Sequence, residues 1–245
     1  MSLIFGILLL LLICAALTLW FFLKPRTSGG ADLSLLRKNY AHHGLWDARN
    51  PEGSLDAILL AARLGYGVKL EVRATRERVL FVAGASPIPL STVLARLDGS
   101  APLMIEIGGK KTNLRLCLLL AKMLDSYAGP FAVISRDPKM IAWFKNYRPS
   151  FARGQIVAPH TDVATSHLLR NYLARPDFLV VEKTLRRRPS VLLLTRLVGL
   201  PCFIFIVGTT AEYRACRQSR SFVIFEKIRP RERIKKGNNH EQFYL

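Results

Sequence analysis

The chain is short of cysteine and of acid. Cys14, Cys117, Cys202 and Cys216 are its four cysteines, and they share no pairwise spacing. That excludes a disulfide framework and a cysteine-based zinc site. Cys117, Cys202 and Cys216 each have apolar neighbours and read as reduced core thiols, which fits a reducing compartment. Asp and Glu number 17 against 36 Lys and Arg, a formal net charge of +19. No helix-turn-helix, zinc-finger or aromatic-interleaved basic pattern accompanies that charge, so no nucleic-acid partner is expected. The partner that fits is an anionic membrane surface, which attracts nearby Lys and Arg by about 1 kcal/mol each. A solvated basic surface is the plainer alternative. Charge is also missing from Leu3 to Leu23, no positive residue precedes that run, and no Ala-x-Ala site follows it. A secretory signal peptide would have both features. Cys14 follows Ile13, where a lipoprotein signal wants a small residue.

What is there begins with that run. Rich in Leu, Ile and Phe, it is long enough at about 1.5 Å per residue to cross a hydrocarbon core of roughly 30 Å, so it predicts one transmembrane helix. Lys24, Arg26, Arg37 and Lys38 follow it. The positive-inside rule then expects a single-pass protein of the cell membrane with its domain in the cytoplasm. The expected organisation is an anchor over 1–24, a linker over 25–37 with a flexible Ser28-Gly29-Gly30 stretch, a domain over 38–230 and a basic disordered tail over 231–245. With 50% hydrophobic residues, a domain of this size can bury a full core.

Within the domain, short β-rich apolar runs alternate with helical patterns, the signature of βα units around a parallel sheet. The predicted strands are 39–42, 68–72, 103–107, 132–135, 153–157, 178–181, 202–207 and 222–225. Eight is the barrel number, and the expected fold is an α/β, (β/α)8 TIM barrel. Predicted helices cover 55–64, 90–97, 114–124, 138–144, 166–172, 190–197 and 211–217. Ser54 with Pro51 opens the first and Gly65 closes it; Asp137-Pro138 is an N-cap followed by a first helical proline, and Gly199 stops the helix before Pro201.

The stretch from Tyr40 to Thr75 organises the rest. It reads strand, loop, helix, strand: Ala41-His42-His43-Gly44, then Pro51-Glu52-Gly53-Ser54, then Lys69-Leu70-Glu71-Val72. In this order the residues resemble the glycerophosphodiester phosphodiesterase family, whose hallmarks are Ala-His-Arg-Gly, Pro-Glu-Asn-Thr or -Ser, and Glu-Leu-Asp-Val. The resemblance continues through Met104-Ile105-Glu106, Ser135-Arg136-Asp137-Pro138 and Arg153-Gly154-Gln155 and spans about residues 38–230. The resemblance implies His42 as one catalytic histidine, Glu52 as a supporting residue, and Glu71 and Glu106 as two carboxylates of a Ca²⁺ or Mg²⁺ site. This chain departs from the pattern at four of the hallmark positions, with His43 for Arg, Gly53 for Asn, Lys69 for the first ligand Glu and Glu71 for Asp. After Val82 it runs through Ala83-Gly84 into Pro87, so the family's second histidine and its insertion are both absent.

Lys69 has three donors and no acceptor, so it cannot replace a carboxylate ligand. A unit charge about 4 Å from a divalent ion at an effective dielectric near 20 costs roughly 8 kcal/mol. That equals the whole binding free energy of about a micromolar site. No cofactor is therefore expected unless the Ca²⁺ or Mg²⁺ site persists. Lys69 has two readings: a cation that binds phosphate in place of the metal, or one half of a buried salt bridge with Glu71 or Glu106. His43 is a candidate acid beside His42, but strand alternation points neighbouring residues to opposite faces. Gly108-Gly109-Lys110-Lys111-Thr112 lacks the leading glycine of a P-loop, and His160 and His167 read as surface residues. The expected function is a catalytically impaired, membrane-anchored member of this family that binds a glycerophosphodiester or phospholipid head group. A working hydrolase with a rearranged site and a purely structural partner of another membrane protein are the alternatives.

Overall fold

The computed structural model describes residues 2–26, 33–109, 112–159, 161–219 and 221–230. The expected linker centre at 27–32, the tail at 231–245, Lys110, Lys111 and His160 lie outside the described residues.

Ten strands follow one another as β1 (Tyr40–His42), β2 (Gly67–Ala74), β3 (Leu80–Val82), β4 (Ile88–Pro89), β5 (Leu103–Ile107), β6 (Phe131–Ser135), β7 (Ala152–Val157), β8 (Phe178–Glu182), β9 (Cys202–Val207) and β10 (Phe222–Phe225). β1 pairs in parallel with both β2 and β10, and this closes β1, β2 and β5 to β10 into a barrel of eight parallel strands. β3 and β4 extend the edge of β2 as an antiparallel ribbon, and only residues 83–87 separate them, so the family's insertion has no counterpart.

Alternation along each strand separates two cores. Outward residues such as Val68, Leu70, Ile105, Val133 and Leu179 pack under the helices. Inward residues Tyr40, Met104, Ile134, Phe178, Phe203 and Ile224 fill the barrel. The lower interior is aromatic. Phe203 meets Tyr40 edge-on at 5.5 Å, Phe178 at 5.7 Å and Phe222 in a stack at 5.3 Å. Glycine makes room for the rings: a Cβ at Gly67 would lie 2.6 Å from the Tyr40 ring, and one at Gly154 would lie 2.4 Å from Phe178.

The helices begin and end where their caps place them. Ser54 accepts from the amide of Ala57 to open helix Leu55–Arg63, and Asp137 accepts from Lys139 to open Pro138–Tyr147. Two segments differ from expectation. The helix expected over 166–172 is two single turns, Val163–Ser166 and Asn171–Ala174, because Leu168 turns left-handed at φ 63° and Arg188 takes both the carbonyl and the hydroxyl of Ser166. The helix expected over 190–197 widens after Leu192, where the amide of Val198 reaches the carbonyl of Leu193, five residues back.

The N-terminal helix Ser2–Leu23 is long and apolar enough to span a membrane, with a mean hydropathy of 2.8 over Ile4–Leu23. Its last turn is bonded to the barrel. Asn171 donates to the carbonyl of Leu23, Arg175 donates to those of Phe21 and Lys24, and Tyr172 packs against the Phe21 and Phe22 rings at 6.0 and 5.3 Å. Arg26 pairs with Asp177 at 3.3 Å, and Asp177 also accepts from the amide of Arg153. Residues 171–177 lead into the start of β8, so the helix end is fixed at the N-terminal end of the barrel.

Phe203 packs against the rings of Tyr40, Phe178 and Phe222, so its truncation leaves a large void. Phe203→Ala is expected to destabilise the fold by about 3 to 5 kcal/mol, read as a lower denaturant midpoint with an unchanged slope.

Candidate active site at the strand ends

The upper barrel interior turns polar because the inward positions of β1, β2 and β5 carry His42, Lys69, Glu71 and Glu106. In register, Lys69 stands beside His42 on one side and Met104 on the other, and Glu71 stands beside Glu106. β1 ends at His42. His43 then takes a left-handed backbone at φ 55°, with its amide donating to the carbonyl of Lys69 at 2.9 Å. Strand alternation would turn its ring away from His42. Instead the two imidazoles meet edge-to-face with centroids 4.3 Å apart, because His43 has already left the strand.

Gly44 at φ 91° continues the turn, and a Cβ there would sit 2.6 Å from the backbone of Ala57. The amide of Gly53 donates back to the carbonyl of His43 at 3.1 Å, which folds Glu52 over the histidines. One ligand atom each of His42, His43 and Glu52 lie within 4.8 Å of one another. A second contact holds this loop down. The amide of Ala85 donates to the carbonyl of Glu52 at 3.0 Å, and a Cβ at Gly53 would lie 2.9 Å from the Cα of Gly84.

The carboxylates are engaged by cations. Lys69, 5% exposed, forms a buried ion pair with one oxygen of Glu106, which is 2% exposed, and Arg136 pairs with the other oxygen at 2.7 Å. Burial pushes the Glu106 carboxyl up, but Lys69 and then Arg136 outweigh it and hold the group below its usual range. Glu71 accepts from Nε of Arg73 at 2.7 Å and lies over Gly108, where a Cβ would come within 2.6 Å of its oxygen. The backbone at Gly108 thus leaves the space that Glu71 uses.

The imidazoles are held neutral. Burial, followed by the charge of Lys69, pushes His42 from 6.5 down to about 2, and the same two causes lower His43 against the opposing charges of Glu52, Glu71 and Glu106. Nδ1 of each ring is buried without a hydrogen-bond partner.

Of the residues expected from sequence, His42, His43 and Glu52 come together, Lys69 joins Glu106, and Glu71 joins Arg73. His167 is exposed, as expected. Arg136 is the site residue that sequence reading passed over. Its signal was a cation in Ser135-Arg136-Asp137-Pro138 where the similar pattern has an aromatic, at the end of the strand next to Glu106. Gln155, 1% exposed, donates to the carbonyls of Ser135 and Arg136 and so fixes the strand end that presents the guanidinium.

No protein-family profile and no curated protein matches this chain. Solved structures do match its fold. A glycerophosphodiester phosphodiesterase from Parabacteroides distasonis superposes with a TM-score of 0.65 at 16% identity, over 77% of this chain and 92% of that one. An Oleispira antarctica phosphodiesterase, solved with its product sn-glycerol-3-phosphate, gives 0.65 at 14% identity over 81% and 95%. A glycerophosphodiester phosphodiesterase from Agrobacterium tumefaciens gives 0.54 at 19% identity over 77% and 94%. The barrel therefore has the fold of the glycerophosphodiester phosphodiesterases of known structure.

Two outcomes are expected at this site. Lys69→Ala strands a buried carboxylate with one partial partner and should cost about 3 kcal/mol or more, whereas Lys69→Met combined with Glu106→Leu should recover most of that loss. Denaturant unfolding of the three proteins checks it. The second concerns pH. His42 binds a proton near 6.5 when unfolded but only near 2 when folded. Its contribution is therefore intact above 6.5 and lost as pH falls below it, at about 1.4 kcal/mol per pH unit. His43 acts in the same direction. Unfolding midpoints measured from pH 7.5 down to 5 should fall, and His42→Gln should flatten the slope.

Proposed function

We propose that the chain is a membrane-anchored member of the glycerophosphodiester phosphodiesterase family whose hydrolytic chemistry is impaired, and that it serves as a binding or interaction module for phosphodiester head groups. The observation that carries this reading is the Lys69–Glu106–Arg136 triad, which uses both oxygens of the carboxylate that a metal would need. Calcium takes six to eight oxygen ligands, and magnesium an octahedron of them. Glu71 and Glu106 would bring oxygens already bonded to Arg73, Lys69 and Arg136, so the donor set does not fit a hard divalent cation.

Proton transfer is impaired for a related reason. An effective general base has a pKa near the working pH. With its pKa pushed down to about 2, His42 is neutral at pH 7 but cannot retain a proton taken from water. Binding survives these losses. The side chains of Arg136 and Arg73 are 51% and 55% exposed at the barrel mouth, and each guanidinium has five donors, more than its carboxylate partner uses. They can therefore offer a phosphate paired donors while Lys69 adds positive charge from below.

A second reading, a working hydrolase with a rearranged site, draws on the clustering of His42, His43 and Glu52. One assay separates the two. The purified full-length chain is expected to release no product from glycerophosphocholine or glycerophosphoethanolamine above background, with or without Ca²⁺ or Mg²⁺; turnover that His42→Ala abolishes would establish the hydrolase. Lys69→Glu is expected to raise Ca²⁺ or Mg²⁺ affinity in calorimetry without restoring turnover, since it replaces a repelling charge by oxygen ligands. The proposal also keeps the N-terminal helix in the cell membrane and the barrel in the cytoplasm, supported by the basic residues that follow the span. Protease protection in sealed vesicles of known orientation checks that placement.

A further inference from the structure

The anchor does more than tether the barrel. Its last turn is bonded to residues 171–177, which feed the N-terminal end of β8. All eight barrel strands are parallel, so this one contact decides which end of the barrel lies toward the bilayer. The strands climb away from that end, and the site at their C-terminal ends lies roughly 17 to 20 Å farther off, at about 3.3 Å per residue.

The end beside the anchor carries what a lipid surface would contact. Each crossover helix runs back down the barrel, so its final turn lies on this face. Arg63, Arg96, Lys122, Arg196 and Arg217 occupy such final turns and are exposed. Each complements its own helix dipole, but together they form a cationic rim on a single face. Leu197 and Val198, 79% and 38% exposed, form the tip that leads into β9, the strand adjacent to β8. Beside that tip, Arg196 lines the lower end of a cavity of about 900 Å³ whose floor includes Leu200, Cys202 and Phe222, at the starts of β9 and β10; Arg186 and Arg187, which precede the crossover helix, line its far end. Apolar exposure alone would not choose this face, since Val163 at the opposite end is 75% exposed. The fixed anchor chooses it, and the positive rim supplies the complementary charge.

We propose that the N-terminal face of the barrel is a docking platform for an anionic phospholipid bilayer, with the Leu197-Val198 tip entering the interface and lipid phosphates meeting Arg196 and Arg217 in the final turns of the two helices that flank β9. The site at the other end then faces water, and its ligands arrive from solution rather than from the anchoring bilayer. The inference rests on the helix Ser2–Leu23 being retained in the membrane, and it is independent of the phosphodiesterase reading.

The test uses the full-length chain with Cys14→Ser, in which the remaining cysteines are buried and their thiols raised in pKa, hence slow to label. A fluorophore is placed at Leu197→Cys or at Val163→Cys, and quenching by nitroxide-bearing lipid is measured in nanodiscs with and without about one-third phosphatidylglycerol. Quenching at 197 is expected to exceed that at 163 by at least about threefold in the anionic discs. It should fall toward the level at 163 in phosphatidylcholine alone, or when Arg196→Glu and Arg217→Glu are combined. Equal quenching at the two positions, or more at 163, overturns the platform. Quenching at 197 that ignores lipid charge overturns the role of the arginines. A chain that does not enter the discs removes the anchor and the proposal with it.

Discussion

The carboxylate of Glu106 is the point on which the upper barrel depends. It is buried almost completely and balanced by Lys69 from the neighbouring strand β2 and Arg136 from β6 on the other side. A buried charge of this kind is stable only while its partners stay, since losing one leaves the full desolvation cost in place. The same triad sets the electrostatics around it. Lys69 adds to the burial that lowers both His42 and His43, so the charge that balances Glu106 also disfavours protonation of the two imidazoles.

The loop above the triad is closed by two glycines. Gly53 and Gly84 approach so closely that a Cβ on either would collide with the other's backbone. This contact closes the Glu52 loop onto the short turn between β3 and β4. The site is covered here by two glycine-containing turns packed backbone to backbone. That packing suits a closed, buried cluster better than an open catalytic pocket, in keeping with the 7% exposure of His43.

Below the polar layer, rings and glycines from six strands interdigitate, and the N-terminal helix joins the barrel on this side. The lower half thus connects the N-terminal helix to the site above it without a flexible joint at Leu23 to Arg26, because side chains from 171–177 take the carbonyls that a helix end leaves unpaired.

The sequence by itself determined the apolar N-terminal helix, the eight barrel strands and most helices, because period-two and period-3.6 patterns and caps such as Ser54 and Asp137 act over a few residues. It also singled out His42, His43, Glu52, Lys69, Glu71 and Glu106. What it left open was decided by contacts between distant segments. The turn of His43 back toward His42 follows from the hydrogen bond to Lys69 and the left-handed backbone that ends β1. The choice of Glu106 as the partner of Lys69, and the arrival of Arg136 on its second oxygen, required the register of three strands. The end of the barrel that the N-terminal helix meets was decided by residues some 150 positions away in the chain. Local patterns carry no information about such pairings, since their energy exists only once the barrel has closed.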